Sequence, residues 1–265
     1  MFWYDGKLTK EDTISLNITD PGLIYGATVF TTLRVYQNSL DHPLTQWEAH
    51  CRRLQHSLKT FNWNLPHWPR VRQGAEALIA SYPVLRITIF PDGREWITGR
   101  FLPENLAQSQ QQGIQGWVAH DVLFQRTLAS HKTGNYLGAF LALQTAKSLG
   151  YREAILVNHQ GNWLETSTGN LWGWKAEKWW TPPLETSILP GIGRSQLLYW
   201  LTDQNISVEQ TLWTPNFVES LKVIAYSNSV LEIIPFSSID AGEKRFEFNP
   251  FHLALKQLFS YYHQL

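Results

Sequence analysis

Residues 130–137 read Ser130-His131-Lys132-Thr133-Gly134-Asn135-Tyr136-Leu137. This is a polar, glycine-containing junction between a strand-like run and a helical one. Asn135 is a candidate cap for a helix that ends at Gly150 and buries Leu137, Phe140 and Leu141. Taken alone, Lys132 is an ordinary solvated loop lysine. Its meaning depends on the segments around it.

Downstream, 154–158 and Trp163–Thr166 flank His159-Gln160-Gly161-Asn162 as a hairpin, with Glu165 on its second strand. Strand alternation alone would let Glu165 point to solvent. A Gly-led helix follows over 191–202, strands over 222–227 and 230–234, and an amphipathic helix over 250–263. Upstream, 13–18 and 28–36 read as β-branched strands around the turn residues Asp20-Pro21-Gly22, and 84–90 with 95–101 form a hairpin around Pro91-Asp92-Gly93. Between these pairs Thr45 and Glu48 have capping-box spacing, and Trp47, Cys51, Leu54, Leu58 and Phe61 make one apolar stripe. A second helix starts near Pro69 and buries Val71, Ala75, Leu78 and Ile79. The aperiodic, Gln-rich run PENLAQSQQQGIQG at 103–116 reads as a linker. The expected organisation is a small N-terminal α/β domain (1–105), a linker (106–116) and a larger β-rich C-terminal domain (117–265) that carries Lys132.

Composition narrows the function. With 265 residues, 43% of them hydrophobic, the chain can bury a sizeable core. Lys+Arg and Asp+Glu are balanced at 22 each, and no basic run occurs, so neither nucleic acid nor an anionic membrane is an expected partner. One cysteine, Cys51, excludes an internal disulfide or a cysteine zinc site. No basic leader and no apolar run of about 18 residues is present, so the expectation is a soluble, cytoplasmic protein. The 13 tryptophans are expected to fill a β-rich core rather than to stack on sugars.

Common site signatures are missing: no GxGxxG, Walker loop, HExxH or GxSxG, and no closely spaced histidine pair, so no metal is expected. Arg52 and Arg53 both fall on the flanks of their helix at about 100° per residue, and periodicity does not choose between them. Leu189-Pro190-Gly191-Ile192-Gly193-Arg194 leads into a helix whose first N–H groups suit a phosphate.

In this order, the segments Asp20-Pro21-Gly22-Leu23-Ile24-Tyr25-Gly26 with Val29-Phe30, His50-x-x-Arg53-Leu54, Lys132-Thr133-Gly134-Asn135-Tyr136-Leu137, Leu164-Glu165-Thr166-Ser167 with Asn170-Leu171, Leu189-Pro190-Gly191-Ile192-Gly193-Arg194 and Ser227-Asn228-Ser229 resemble the fold-type IV pyridoxal-phosphate enzymes of the class IV aminotransferase family. That family includes branched-chain and D-amino-acid aminotransferases and 4-amino-4-deoxychorismate lyase. The resemblance implies a two-domain fold-type IV architecture, pyridoxal 5′-phosphate as cofactor, a small-molecule substrate and a homodimer. It implies that Lys132 holds the cofactor covalently and then acts as base, and that Glu165 keeps the pyridine nitrogen protonated. Arg53 would take the phosphate, together with the N–H groups of Ile192 and Gly193 and with Ser227 or Asn228.

Phe30-Thr31-Thr32-Leu33-Arg34 resembles the lyase form, because the family's aminotransferases usually carry a glutamate where Thr31 stands. The implied reaction turns aminodeoxychorismate into 4-aminobenzoate and pyruvate, with Thr31 or Thr32 as proton donor or orienter. Tyr25-Gly26 lacks the Asp-Gly pair common in the lyases, so a branched-chain or D-amino-acid aminotransferase is the alternative. Arg34, Arg86 and Arg126 are candidates, by charge, for the substrate carboxylates.

Overall fold

The computed structural model describes residues 1–263; positions 264 and 265 of the expected second domain lie outside the described residues. The chain divides into two compact units, residues 1–103 with 131–135, and residues 104–130 with 136 onward. The Lys132 segment therefore packs with the small unit, and not with the larger domain in which the sequence placed it.

The small unit begins with strands β1 (Phe2–Tyr4) and β2 (Lys7–Thr9), and then a short helix α1 (Pro21–Ile24) capped by Asp20, whose Oδ1 accepts from Gly22 N at 2.8 Å. Strand β3 (Val29–Arg34), helices α2 (Trp47–Thr60) and α3 (Trp68–Ile79), and strands β4 (Val84–Ile89) and β5 (Glu95–Arg100) complete it. Its sheet runs β2-β1-β5-β4-β3, antiparallel throughout. The core joins Val29, Leu33, Leu85, Ile87 and Ile97 of the sheet to Leu54, Leu58, Val71, Ala75 and Leu78 of the helices. Removing this much apolar surface from water is the main term holding the two layers together.

Two expectations fail here. No strand forms over 13–18: Ile18 is 84% exposed, no described strand pairs with it, and Asn17 Oδ1 closes a local turn by accepting from Thr19 N. The Thr45–Glu48 capping box is also absent. Thr45 Oγ1 instead accepts from Tyr36 N and donates to Ser39 O, and Gln46 occupies the cap position in a left-handed conformation.

The larger unit opens with helix α4 (Leu106–Gln112) and strand β6 (Ile114–Ala119), so the expected linker is ordered secondary structure. Leu106 and Ile114 are buried, which anchors a run that is otherwise polar. Helix α5 (Leu137–Ser148), the hairpin β7 (Glu153–Val157) and β8 (Trp163–Thr166), and strands β9 (Asn170–Lys175) and β10 (Lys178–Thr181) follow. Helix α6 (Ile192–Asp203), β11 (Val208–Gln210), α7 (Pro215–Glu219), β12 (Val223–Asn228), β13 (Glu232–Asp240), β14 (Arg245–Glu247) and α8 (Leu255–His263) complete it.

Its mixed sheet runs β11-β10-β9-β12-β13-β6-β7-β8, with β14 on β13. Strands β8 and β9 are far apart along that path, yet only residues 167–169 join them, so the sheet must curl back on itself. Trp172, Trp179 and Trp213 are fully buried within it and Trp174 packs on Trp179, so these tryptophans fill the core.

Helix α5 presents Ala139, Ala142 and Ala146 to that core, while Leu137 and Phe140 are 60% and 52% exposed. Of the three residues expected on the buried face only Leu141 packs against that core, half-buried; the rest of the contact is alanine, because a helix lying close on a sheet favours small side chains there. Asn135 makes no cap, and the cap position is Tyr136. Among the described residues no helix is long and apolar enough to cross a membrane, and no acidic, histidine and cysteine group could hold a metal.

Candidate active site

In the small unit, residues 132–134 run antiparallel along the free edge of β3. Phe30 N donates to Lys132 O at 2.8 Å, Gly134 N donates to Thr28 O at 2.7 Å, and Val29 bridges to Thr133. Gly134 is required at its position: a Cβ there would sit 2.2 Å from Thr28 Oγ1 and 2.6 Å from Gly26 O. This docking places Lys132 Nζ 4.8 Å from the centre of the Phe30 ring.

Strand alternation then sorts the neighbours. Phe30, Thr32 and Arg34 share one face of β3, where Arg86 of β4 stacks on Phe30 with Cζ 3.6 Å from the ring centre. Arg34 covers Tyr36 at 4.7 Å.

Thr31 points the other way, toward α2, and is 0% exposed. Its Oγ1 accepts from Arg53 Nη2 at 2.6 Å and lies 2.5 Å from His50 Nδ1. Arg53 is thus the arginine of the pair turned inward, while Arg52 is exposed. His50 is buried, and its Nε2 has no hydrogen-bond partner. Burial holds its pKa well below the usual imidazole value, and the positive charges of Arg53 and Lys132 add to the effect. Sequence reasoning missed His50 as more than part of a motif. The signal it offered was a histidine at a position where the helix buries everything else.

In the large unit, Glu165 is buried on β8. Its Oε1 pairs with Arg126 Nη1, and its Oε2 accepts from Leu189 N at 3.1 Å. Arg126 also donates to Ala129 O at 3.2 Å and lies over the Tyr136 ring. A guanidinium so placed serves Glu165, and its candidacy for a substrate carboxylate is withdrawn.

The Leu189 segment that meets Glu165 also accepts from Asn170 Nδ2 through Leu189 O at 2.9 Å. It then turns into α6 at Gly191, where a Cβ would fall 1.9 Å from Asn170 Oδ1. No side chain caps α6, so the positive end of the helix at Ile192 and Gly193 has no side-chain acceptor at its cap. A Cβ on Gly193 would be 3.5 Å from the Asn228 backbone, which puts the end of β12 beside this helix start.

The side chains of Ser227 and Asn228 are engaged in the fold. Ser227 Oγ accepts from Trp172 Nε1 at 2.9 Å, and Asn228 Oδ1 accepts from Val230 N and Leu231 N at 2.9 and 2.8 Å. Buried Arg194 anchors the helix by donating to Thr181 Oγ1, Pro182 O and Gln210 Oε1, and burial pushes its pKa down to about 10.

Taken separately, each unit holds groups whose chemistry suits a phosphorylated pyridoxal cofactor. The small unit offers an inward-turned guanidinium, an edge-docked lysine and a buried ring nitrogen without a partner. The large unit offers a buried glutamate and an uncapped helix start shaped by Gly191.

Residues 28–239 match the model of the family described as amino-transferase class IV. Among curated proteins, the chain is 27% identical to an aminodeoxychorismate lyase of Vibrio harveyi, over 94% of each chain. It is 24% identical to a branched-chain-amino-acid aminotransferase of Pseudomonas aeruginosa, over 91% of this chain and 85% of that one. Among solved structures, a hypothetical aminotransferase from Mycobacterium tuberculosis in its PLP-bound form superposes with a TM-score of 0.83 at 20% identity, covering 98% of this chain and 97% of that one. The chain belongs to the class IV aminotransferase family, whose enzymes use pyridoxal phosphate, and it has the fold-type IV architecture.

Proposed function

We propose that this class IV family member is a pyridoxal-phosphate-dependent lyase that converts 4-amino-4-deoxychorismate to 4-aminobenzoate and pyruvate. The observation that carries the reading is Thr31: a small, neutral hydroxyl lies buried against His50 and Arg53 where aminotransferases of the family usually carry a glutamate. The full-length similarity to the Vibrio harveyi lyase supports the same side.

When bound, the cofactor withdraws electrons from the amine-bearing carbon of the substrate. Lys132 holds the cofactor and takes the proton from that carbon, and the enolpyruvyl group receives a proton at its methylene carbon as it leaves as pyruvate. The ring becomes aromatic, so no other reactant is consumed. Glu165, paired with Arg126, would face the pyridine nitrogen and favour its protonated form. Arg53 takes the phosphate, as do the N–H groups of Ile192 and Gly193. Ser227 or Asn228 completes the cradle: their side-chain oxygens accept bonds within the fold, which leaves the Ser227 hydroxyl hydrogen and the Asn228 Nδ2 hydrogens to donate.

Thr31 already makes two hydrogen bonds, so Thr32, on the Phe30 and Lys132 face, is the hydroxyl that orients the departing group. Arg86 and Arg34 lie on that same face and suit the two carboxylates of the substrate. The active form is a homodimer, to which the exposed Leu137, Phe140, Val122 and Leu123 of the large unit would contribute apolar surface.

The test mixes holoenzyme with aminodeoxychorismate and no keto acid. Pyruvate and 4-aminobenzoate should appear in equal amounts over many turnovers while the cofactor spectrum returns to its starting form. The rival reading is a branched-chain aminotransferase, favoured by the Pseudomonas aeruginosa relative and by the missing Asp-Gly pair at Tyr25-Gly26. It would show no products here, and an amino acid alone would convert the cofactor to its amino form.

A further inference from the structure

Thr31 offers one hydrogen and two lone pairs, and its partners are Arg53 Nη2 at 2.6 Å and His50 Nδ1 at 2.5 Å. Arg53 can only donate, so the hydroxyl oxygen accepts from it. With the His50 proton on Nδ1, both neighbours would donate to the two lone pairs of Thr31, which holds Arg53 in place. With the proton on Nε2, the buried atom without a partner, Arg53 is held in the same place, and the three side chains form a one-way chain in which Arg53 donates to Thr31 and Thr31 donates to His50. Each bond in such a chain polarises the next. Burial keeps His50 neutral, the state the chain requires.

We propose that His50 and Thr31 are positioning residues that fix the guanidinium of Arg53 for the cofactor phosphate. This rests on the reading above that Arg53 is the phosphate arginine. Arg53 sits on a helix and could swing through several rotamers, while Thr31 sits on a strand and His50 is packed one turn back on that helix. Pinning one guanidinium nitrogen from below sets the direction of the others before any ligand arrives, which lowers the ordering cost of binding. A threonine is suited to this place because its hydroxyl can accept and donate at once without adding a charge beside Arg53. A glutamate there could only accept, and its charge would weaken the pull of Arg53 on a dianion.

The test compares equilibrium binding of pyridoxal 5′-phosphate and of pyridoxal to apo-protein stripped of cofactor. The ratio of the two dissociation constants isolates the contribution of the phosphate, and a merely structural role would move both constants together. Thr31→Val should cut that ratio about tenfold, the size of one hydrogen bond to a charged group, with pyridoxal affinity unchanged. Thr31→Ser should restore it. His50→Leu should behave like Thr31→Val, and His50→Asn, which keeps an acceptor near the Nδ1 position, should recover most of the loss.

If Thr31→Val fails to fold, the His50→Leu and His50→Asn pair carries the same comparison. A ratio that stays at the wild-type value in Thr31→Val and His50→Leu, while Arg53→Met collapses it, would overturn the positioning role. Parallel loss of both ligands would overturn it as well. If Arg53→Met itself leaves the ratio intact, it is the assignment of Arg53 to the phosphate that falls.

Discussion

A guanidinium in the small unit and a carboxylate in the large one are held by opposite means. Arg53 is steered by Thr31, a neutral hydroxyl backed by a neutral imidazole. Glu165 is held by Arg126, a full opposite charge, and by the N–H of Leu189. The difference suits the roles proposed for the two groups. An arginine that takes a dianion would keep its whole charge available when its support is neutral. A buried carboxylate is served by a nearby cation, because burial alone favours the neutral acid. Glu153, also buried in this unit, shows the contrast: its hydrogen bonds come from neutral groups, Ser167, Thr168 and the Ala154 N–H, and burial pushes its pKa up.

The largest expected effect is at Lys132. Lys132→Ala should lower turnover by roughly 10²–10⁴-fold from loss of the base alone, and borohydride treatment should no longer add the cofactor's mass to the chain. Survival of either property would remove Lys132 from the reading. Arg126→Met tests the charged arrangement. It strands a buried carboxylate and should cost about 3–5 kcal/mol of stability in denaturant unfolding. Adding Glu165→Gln should recover much of that loss; a double variant as unstable as the single one would mean that Arg126 stabilises by packing on Tyr136 instead.

Smaller still is the split between adjacent threonines. Thr32→Val should slow pyruvate release by roughly 10²-fold without changing cofactor affinity, while Thr31→Val acts on cofactor affinity. Matching profiles for the two would collapse the distinction between the faces of β3.

The sequence made the strongly periodic parts of this fold readable. The α2 stripe and the 84–101 hairpin have one pattern each and one place to go. The 106–116 run misled because its anchors are the buried side chains of Leu106 and Ile114 and a hydrogen bond from Gln110 to Leu231 O, and two buried side chains make no periodicity. Helix α5 misled because its buried face is alanine, which a hydrophobic pattern ranks below the exposed Leu137 and Phe140. At the candidate site, residue types and order pointed to Lys132, Glu165 and Arg53. The partners that tune them were not readable: Arg126 is 39 residues from Glu165, and Thr31 is 22 from Arg53. Such pairings are set by sheet register and helix docking, which no local spacing encodes. The placement of Lys132 with the small unit belongs to the same class, since it depends on an edge pairing with β3.

The smallest expected effect is on pH dependence, and it bears on the neutral arrangement alone. His50 has a folded-state pKa held well below 6.5, by burial first and then by Arg53 and Lys132. Its contribution to stability is therefore complete above pH 6.5 and is eroded as pH falls from there toward the folded value, because the unfolded chain takes up a proton that the native chain refuses. The slope is about 1.4 kcal/mol for each pH unit in that window, or roughly 3–6 °C in Tm for a chain of this size. His131, whose pKa is lowered by burial and by His56, adds a slope of the same sign. His50→Asn should remove the His50 share and leave that of His131, so the Tm curves of wild type and variant should converge as pH falls from 7.5 to 5. Parallel curves would mean that His50 titrates alike in the folded and unfolded chains, and burial would then not be what keeps the imidazole beside Thr31 neutral.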